Sequence, residues 1–179
     1  MGSRLRGNDT GPNPHYSSAH RMKYLEDVRV GERTQLGRHT FAAEEIKSFA
    51  RRFDPQPFHV DEQAAARSHF GALVASGWHT GSVCIRLIVQ SRLREEEAMR
   101  ARGQPLGSTG PSPGFRELKW LKPVYAGDTI SYASEIIETR PVRSRPDKGL
   151  VFALNTGTNQ AGELVISFIS CLFVDRRPA

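Results

Sequence analysis

From Gly77 to about Met99 the chain carries one long helical pattern, and from Phe115 onward it carries only strand patterns. In the helical stretch Val83, Leu87 and Ile88, then Leu93, fall on one face. Its last part, Arg92 to Arg102, is charged and is expected to project into solvent. The strand patterns run Phe115 to Lys122, Thr129 to Thr139, Leu150 to Thr158 and Glu163 to Asp175, with Asn159-Gln160-Ala161-Gly162 as a hairpin turn between the last two. Neither a one-faced helix nor a set of consecutive strands can bury its apolar side alone. The expected fold is therefore α+β, an antiparallel sheet curled around one long central helix.

The chain before the helix is read in the same way. Residues 1–21 are rich in Gly, Ser, Asn, Pro and Arg and show no periodicity. They are expected to be a disordered leader or start-site extension, with Met22 the natural start and residues 22–179 a single domain. Gln35 to Thr40 predicts a strand, and Thr40 is expected to cap a helix carrying Ile46, Phe49 and Ala50 at helical spacing. Asp61 to Ser68 predicts a short helix capped by Asp61. Gly103 to Gly114, with four glycines and three prolines, reads as a loop or mobile flap, and Pro141 to Gly149 as a basic loop.

Composition narrows the function. With 179 residues, 38% hydrophobic and 25% charged, the chain suits one folded domain with a real core. The longest apolar run, near Leu164 to Val174, is broken by Ser167 and Ser170, so no membrane span is expected. No contiguous apolar signal region stands at the N-terminus, and a cytoplasmic protein is expected. Cys84 and Cys171 both lie in apolar segments and read as buried thiols of a reducing compartment. The formal charge of +6 includes a net +2 from residues 1–21, and no basic stripe interleaved with aromatics appears. Nucleic acid is not an expected partner. A mildly basic surface also suits a phosphate-bearing small molecule such as coenzyme A. His59, His69 and His79 recur every ten residues, but zinc spacings are tighter and no acidic or thiol ligand joins them, so no metal site is expected.

The chemistry concentrates in Phe53-Asp54-Pro55-Gln56-Pro57-Phe58-His59 and in the Ser76-Gly77 opening of the long helix. Asp54 and His59 stand five residues apart on a segment whose two prolines forbid regular helix. Ser-Gly at a helix start leaves backbone N–H groups without intrahelical partners. An acid, a base and nearby amide donors are the parts needed to add or remove water beside a carbonyl. Alone, Asp54 is also an ordinary turn former and His59 an ordinary half-buried histidine.

Asp54-Pro55-Gln56-Pro57-Phe58-His59, Ser76-Gly77, Trp120-Leu121-Lys122-Pro123-Val124-Tyr125-Ala126-Gly127-Asp128 and the turn Asn159-Gln160-Ala161-Gly162-Glu163 together resemble the MaoC-like acyl dehydratases, which include the (R)-specific enoyl-CoA hydratases. The resemblance covers about Met22 to Val174. It implies a hot-dog fold and the reversible addition of water to a trans-2-enoyl thioester, without a metal or redox cofactor. It also implies an acyl-CoA substrate, a place in fatty-acid metabolism and a homodimer or higher homo-oligomer. On these positions Asp54 and His59 would act as the acid–base pair, and the Gly77 N–H would polarise the thioester carbonyl. Gln56, Phe58, Ser76 and Trp78 would contact the substrate.

This sequence departs from the family pattern in three places. Gln56 replaces the usual Asn, and Ser76-Gly77 replaces His-Gly. Ile85 falls near the place of a serine that often supports the catalytic Asp. Phe70 joins Phe58 and Trp78 as a candidate pocket wall, and Arg67, Arg140, Arg143, Arg145 and Lys148 as candidate partners of coenzyme A phosphates. Two other functions remain open on the residues. One is a hot-dog thioesterase, which would want a carboxylate on or near the central helix, where Gly77 to Leu93 carries none. The other is a non-catalytic module that binds acyl-CoA or a protein partner. Acyl chain length, and coenzyme A against acyl carrier protein, are not specified.

Overall fold

The computed structural model describes residues 21–178; the expectation for residues 1–20 lies outside the described residues. A five-stranded antiparallel sheet runs in the order β2 (Arg33–Thr40), β5 (Thr129–Val142), β6 (Arg145–Thr158), β7 (Leu164–Asp175), β4 (Phe115–Trp120). Its concave face holds helix α4 (Gly77–Ala101). The consecutive strands β5, β6 and β7 pair as neighbours because short turns join them, while β2 and β4 close the two edges. The core lies between helix and sheet: Val83, Cys84, Leu87 and Ile88 of α4 against Leu36, Ile130, Tyr132, Val165, Ile166 and Phe168. Tyr132 is fully buried, and its hydroxyl donates to the Thr80 carbonyl at 3.1 Å, tying sheet to helix. Burial pushes the Cys84 thiol up to about 12, so it serves as packing.

Three shorter helices precede α4: α1 (Ala43–Phe53), α2 (Pro57–Val60) and α3 (Glu62–Ala66). The Asp61 side chain caps α3 as expected, accepting from Ala64 N at 2.7 Å. Thr40 does not cap α1. It ends β2 and bonds the Thr129 hydroxyl at 2.7 Å, and α1 begins at an uncapped Ala42, two residues later. The proline-rich segment is also less extended than expected. Pro57 sits in the first turn of α2, where its missing N–H costs nothing and its fixed φ favours the helix.

The remaining differences concern segments held by tertiary pairing. Arg21 belongs to a short strand β1 (Arg21–Met22), which pairs with β3 (Gly107–Ser108). That pairing pins part of the expected flap, and Gly110 N–H then donates to the Phe173 carbonyl at 2.9 Å. The Arg21 N–H donates to Glu96 at 3.0 Å, so Glu96 and Met99 of the charged helix end are buried rather than projecting. Leu93, by contrast, is exposed, and with Ile85 and Val89 it marks an outer apolar stripe of α4. The expected basic loop is mostly strand, since β5 and β6 continue to a two-residue turn at Arg143-Ser144.

Candidate active site

Helix α1 runs straight into the acid: Asp54 is its C-cap residue, and its N–H donates to the Ala50 carbonyl at 2.8 Å. The chain then folds tightly. Gln56 N–H reaches the Asp54 carbonyl at 2.8 Å, and His59 N–H the Gln56 carbonyl at 2.9 Å. This turn brings His59 back beside Asp54, with Nε2 at 3.5 Å from Oδ2. The other imidazole nitrogen is fixed by the extended segment before α4, because Nδ1 lies 2.7 Å from the Val74 carbonyl. A carbonyl only accepts, so Nδ1 carries a proton and Nε2 is the nitrogen available for exchange.

The carboxylate is held as firmly. Gln56 Nε2 donates to Oδ1 at 2.9 Å, and the Ser76 hydroxyl donates to Oδ2 at 2.7 Å. Burial pushes the Asp54 carboxyl up, but the bonds from Ser76 and Gln56, with the neighbouring His59 charge, outweigh it and hold the group below its ordinary 3.8. Asp54 is thus an anion at neutral pH, able to receive a proton.

Asp54, Gln56, Phe58, His59, Gly77 and Trp78 line one cavity of 480 Å³, which Phe70 and Trp120 also wall. Six of the seven residues singled out for the site therefore converge. The exception is Ser76, which is only 1% exposed. Its hydroxyl is committed to Asp54 and to the Trp78 N–H at 3.2 Å, so it sits behind the carboxylate and supports it. Ser76 supplies from the helix cap a hydroxyl to Asp54 that the sequence reading failed to find in the helix interior. The signal that would have found it is spatial, since 22 residues separate the two.

Gly77 opens α4, where N–H groups lack intrahelical acceptors. A side chain at Gly77 would meet the Trp120 indole, with Nε1 2.5 Å and Cδ2 2.6 Å from the Cβ position. The missing Cβ thus makes room for Trp120, a residue the sequence reading did not assign to the site. Of the basic candidates, Arg67, Arg140, Arg143, Arg145 and Lys148 are absent from the cavity wall, and Lys148 is paired with Asp175. Lys122 is the cation on that wall, and it pairs with Glu163. The three evenly spaced histidines have different surroundings: His69 packs on Phe70, and His79 stacks on Phe49 beside Glu45. Among the described residues no group of three or more His, Cys, Asp or Glu is placed to hold a metal ion.

Two other segments of the recognised pattern have structural duties. Asp128, after the Gly127 turn, accepts from Tyr125 N–H at 2.8 Å and from Gln160 Nε2 at 2.6 Å. Gln160 Oε1 in turn takes the Thr129 N–H at 3.1 Å, so the Gly127-Asp128 and Asn159–Gly162 turns clasp one another.

A long helix embraced by a curled antiparallel sheet, with Asp54 and His59 side by side near the helix's N-terminal end, defines a hot-dog domain. Residues 26–153 match the MaoC like domain model, and the chain belongs to that family. Its structure is similar to a MaoC-like dehydratase from Rhodospirillum rubrum, at 36% identity and a TM-score of 0.72, covering 88% of this chain and all of that one. It shares the fold of an R-hydratase from Pseudomonas aeruginosa (21% identity, TM-score 0.60, 89% of this chain and 90% of that one). In sequence it is 28% identical to the 3-hydroxybutyryl-CoA dehydratase of Methylorubrum extorquens, over 70% of this chain and 71% of that protein.

Proposed function

We propose that this protein adds water reversibly to a trans-2-enoyl thioester, with coenzyme A as the expected carrier. The observation that carries the proposal is the Asp54–His59 pair, 3.5 Å apart and each anchored on its far side, at the wall of a cavity shared with the α4 N-terminus. A water between them loses a proton to the Asp54 carboxylate as its oxygen bonds to C3 of the substrate. The His59 imidazolium delivers its Nε2 proton to C2. That leaves one proton on Asp54 and none on Nε2, and transfer across the short gap restores the starting state. Both groups lie on one side of the substrate, which directs both additions to one face. The Gly77 N–H, at the positive end of α4, stabilises charge on the thioester oxygen. No metal or redox cofactor is required by this scheme.

The same reading includes assembly into a homodimer or larger homo-oligomer. Ile85, Val89 and Leu93 recur every four residues on the outer face of α4 and are all exposed, as is Phe115 on edge strand β4. An apolar stripe beside an open edge is a surface that another copy can cover. The purified protein should hydrate crotonyl-CoA, with loss of the enoyl absorbance, and sediment above its 19.9 kDa monomer mass. Intact crotonyl-CoA would overturn the hydratase reading, release of free thiol would favour a thioesterase, and a concentration-independent monomer would overturn the assembly.

A further inference from the structure

The hydratase reading names one donor for the thioester oxygen, and the cavity wall holds a second. We infer that the Trp120 indole N–H donates to the same oxygen as the Gly77 N–H. The inference rests on the functional reading above. Trp120 ends the edge strand β4 and walls the cavity that holds Asp54 and His59. Its pyrrole ring lies against the Gly77 α-carbon: Nε1 and Cδ2 stand 2.5 and 2.6 Å from where a Cβ would be. The indole nitrogen thus stands beside the α-carbon of the first residue of α4. Its other contact, an edge-on packing against Trp78 at 5.1 Å between centroids, involves the rings. Among the described residues no acceptor bonds Nε1, and the side chain is 48% exposed, so the N–H is available to a ligand.

Chemistry favours this use of the group. An indole nitrogen donates and never accepts, so it matches a thioester oxygen, which only accepts. It is uncharged and fixed by packing on two sides, so it offers a preorganised dipole to an oxygen that gains charge in the transition state. Trp120 would be a catalytic residue on this account, since it touches the reacting thioester. The requirement for glycine at 77 follows as well, because any Cβ there would displace the second donor.

Two variants test the inference in the full-length protein. Trp120→Phe retains an aromatic face over Gly77 and a ring against Trp78 while deleting the N–H; Asp128→Asn, at a carboxylate that fastens two turns and does not line the cavity, is the control. With crotonyl-CoA, Trp120→Phe should lower kcat by about 10²-fold, the usual cost of one such donor, with KM changed less than about threefold. Asp128→Asn should keep kcat within about twofold of the parent. A second readout needs no turnover. In the Asp54→Asn background, the carbonyl stretch of bound crotonyl-CoA should lie below its position in buffer, and adding Trp120→Phe should reverse part of that shift. An unchanged kcat and an unchanged carbonyl stretch in Trp120→Phe, in a protein whose parent hydrates crotonyl-CoA, overturns the inference alone. A parent that hydrates no enoyl thioester overturns the functional reading beneath it.

Discussion

Asp54 and Asp128 make an instructive pair, because their immediate partners are nearly alike. Each follows or precedes a tight turn, and each has its Oδ1 held by a glutamine amide, Gln56 for Asp54 and Gln160 for Asp128. They part at Oδ2. In Asp128 that oxygen accepts the Tyr125 N–H, which completes a clasp between two turns. In Asp54 it accepts the Ser76 hydroxyl and still faces His59 Nε2 at 3.5 Å, on the wall of a large cavity. A carboxylate is chemically useful when its support comes from behind and a proton carrier stands in front. One that is surrounded by its own backbone is a fastener.

Matched substitutions separate the two roles. Asp54→Asn keeps the size and much of the hydrogen bonding of the group but removes the base, and should lower enoyl-thioester hydration by roughly 10²–10⁴-fold. Asp128→Asn should leave that rate within about twofold. Its expected cost falls on stability, about 1 kcal/mol, because one of two inward donors then meets an amide NH₂. Thermal melts and steady-state rates on both variants check the contrast, which fails if Asp128→Asn is the slower enzyme.

The smallest effect is on pH dependence. The folded Asp54 carboxyl lies below its ordinary 3.8, so its contribution to stability is fully present above that value. The contribution is lost as pH falls through the lower folded value. Asp54→Asn removes this share of acid sensitivity, so the difference in melting temperature between parent and variant should shrink in acid. Acid loss of kcat/KM in the parent should have its midpoint below 3.8. An acid midpoint above 3.8, without unfolding, would mean that Asp54 is not held as described.

The contrast between the two aspartates also marks what a sequence discloses. The core helix was legible because Val83, Leu87 and Ile88 repeat at helical spacing, and the strands because turn residues bracket them. Asp54, His59 and Gly77 were legible as types in a local pattern. The support for them was not. Ser76 reaches Asp54, and Trp120 reaches Gly77, only because folding brings distant segments together. The same reason explains Arg21, Glu96 and the Gly103–Gly114 segment, whose local composition suggests solvent and whose partners lie far along the chain. Thr40 misled in the opposite way, since a good capping residue was taken by its strand partner Thr129.

The central claim is that Asp54 and His59 act as a unit on one water, and a double-mutant cycle on kcat tests it most directly. Asp54→Asn and His59→Ala should each lower the rate of crotonyl-CoA hydration by roughly 10²–10⁴-fold. The double variant should be little slower than the worse single, because groups that act together lose their value together. Substrate binding should persist in all three, since the Gly77 amide and the cavity walls remain. If the two losses multiplied, the groups would be acting independently. If Asp54→Asn turned over at nearly the parent rate, the carboxylate would be a turn former like Asp128, and the account of the site would be wrong.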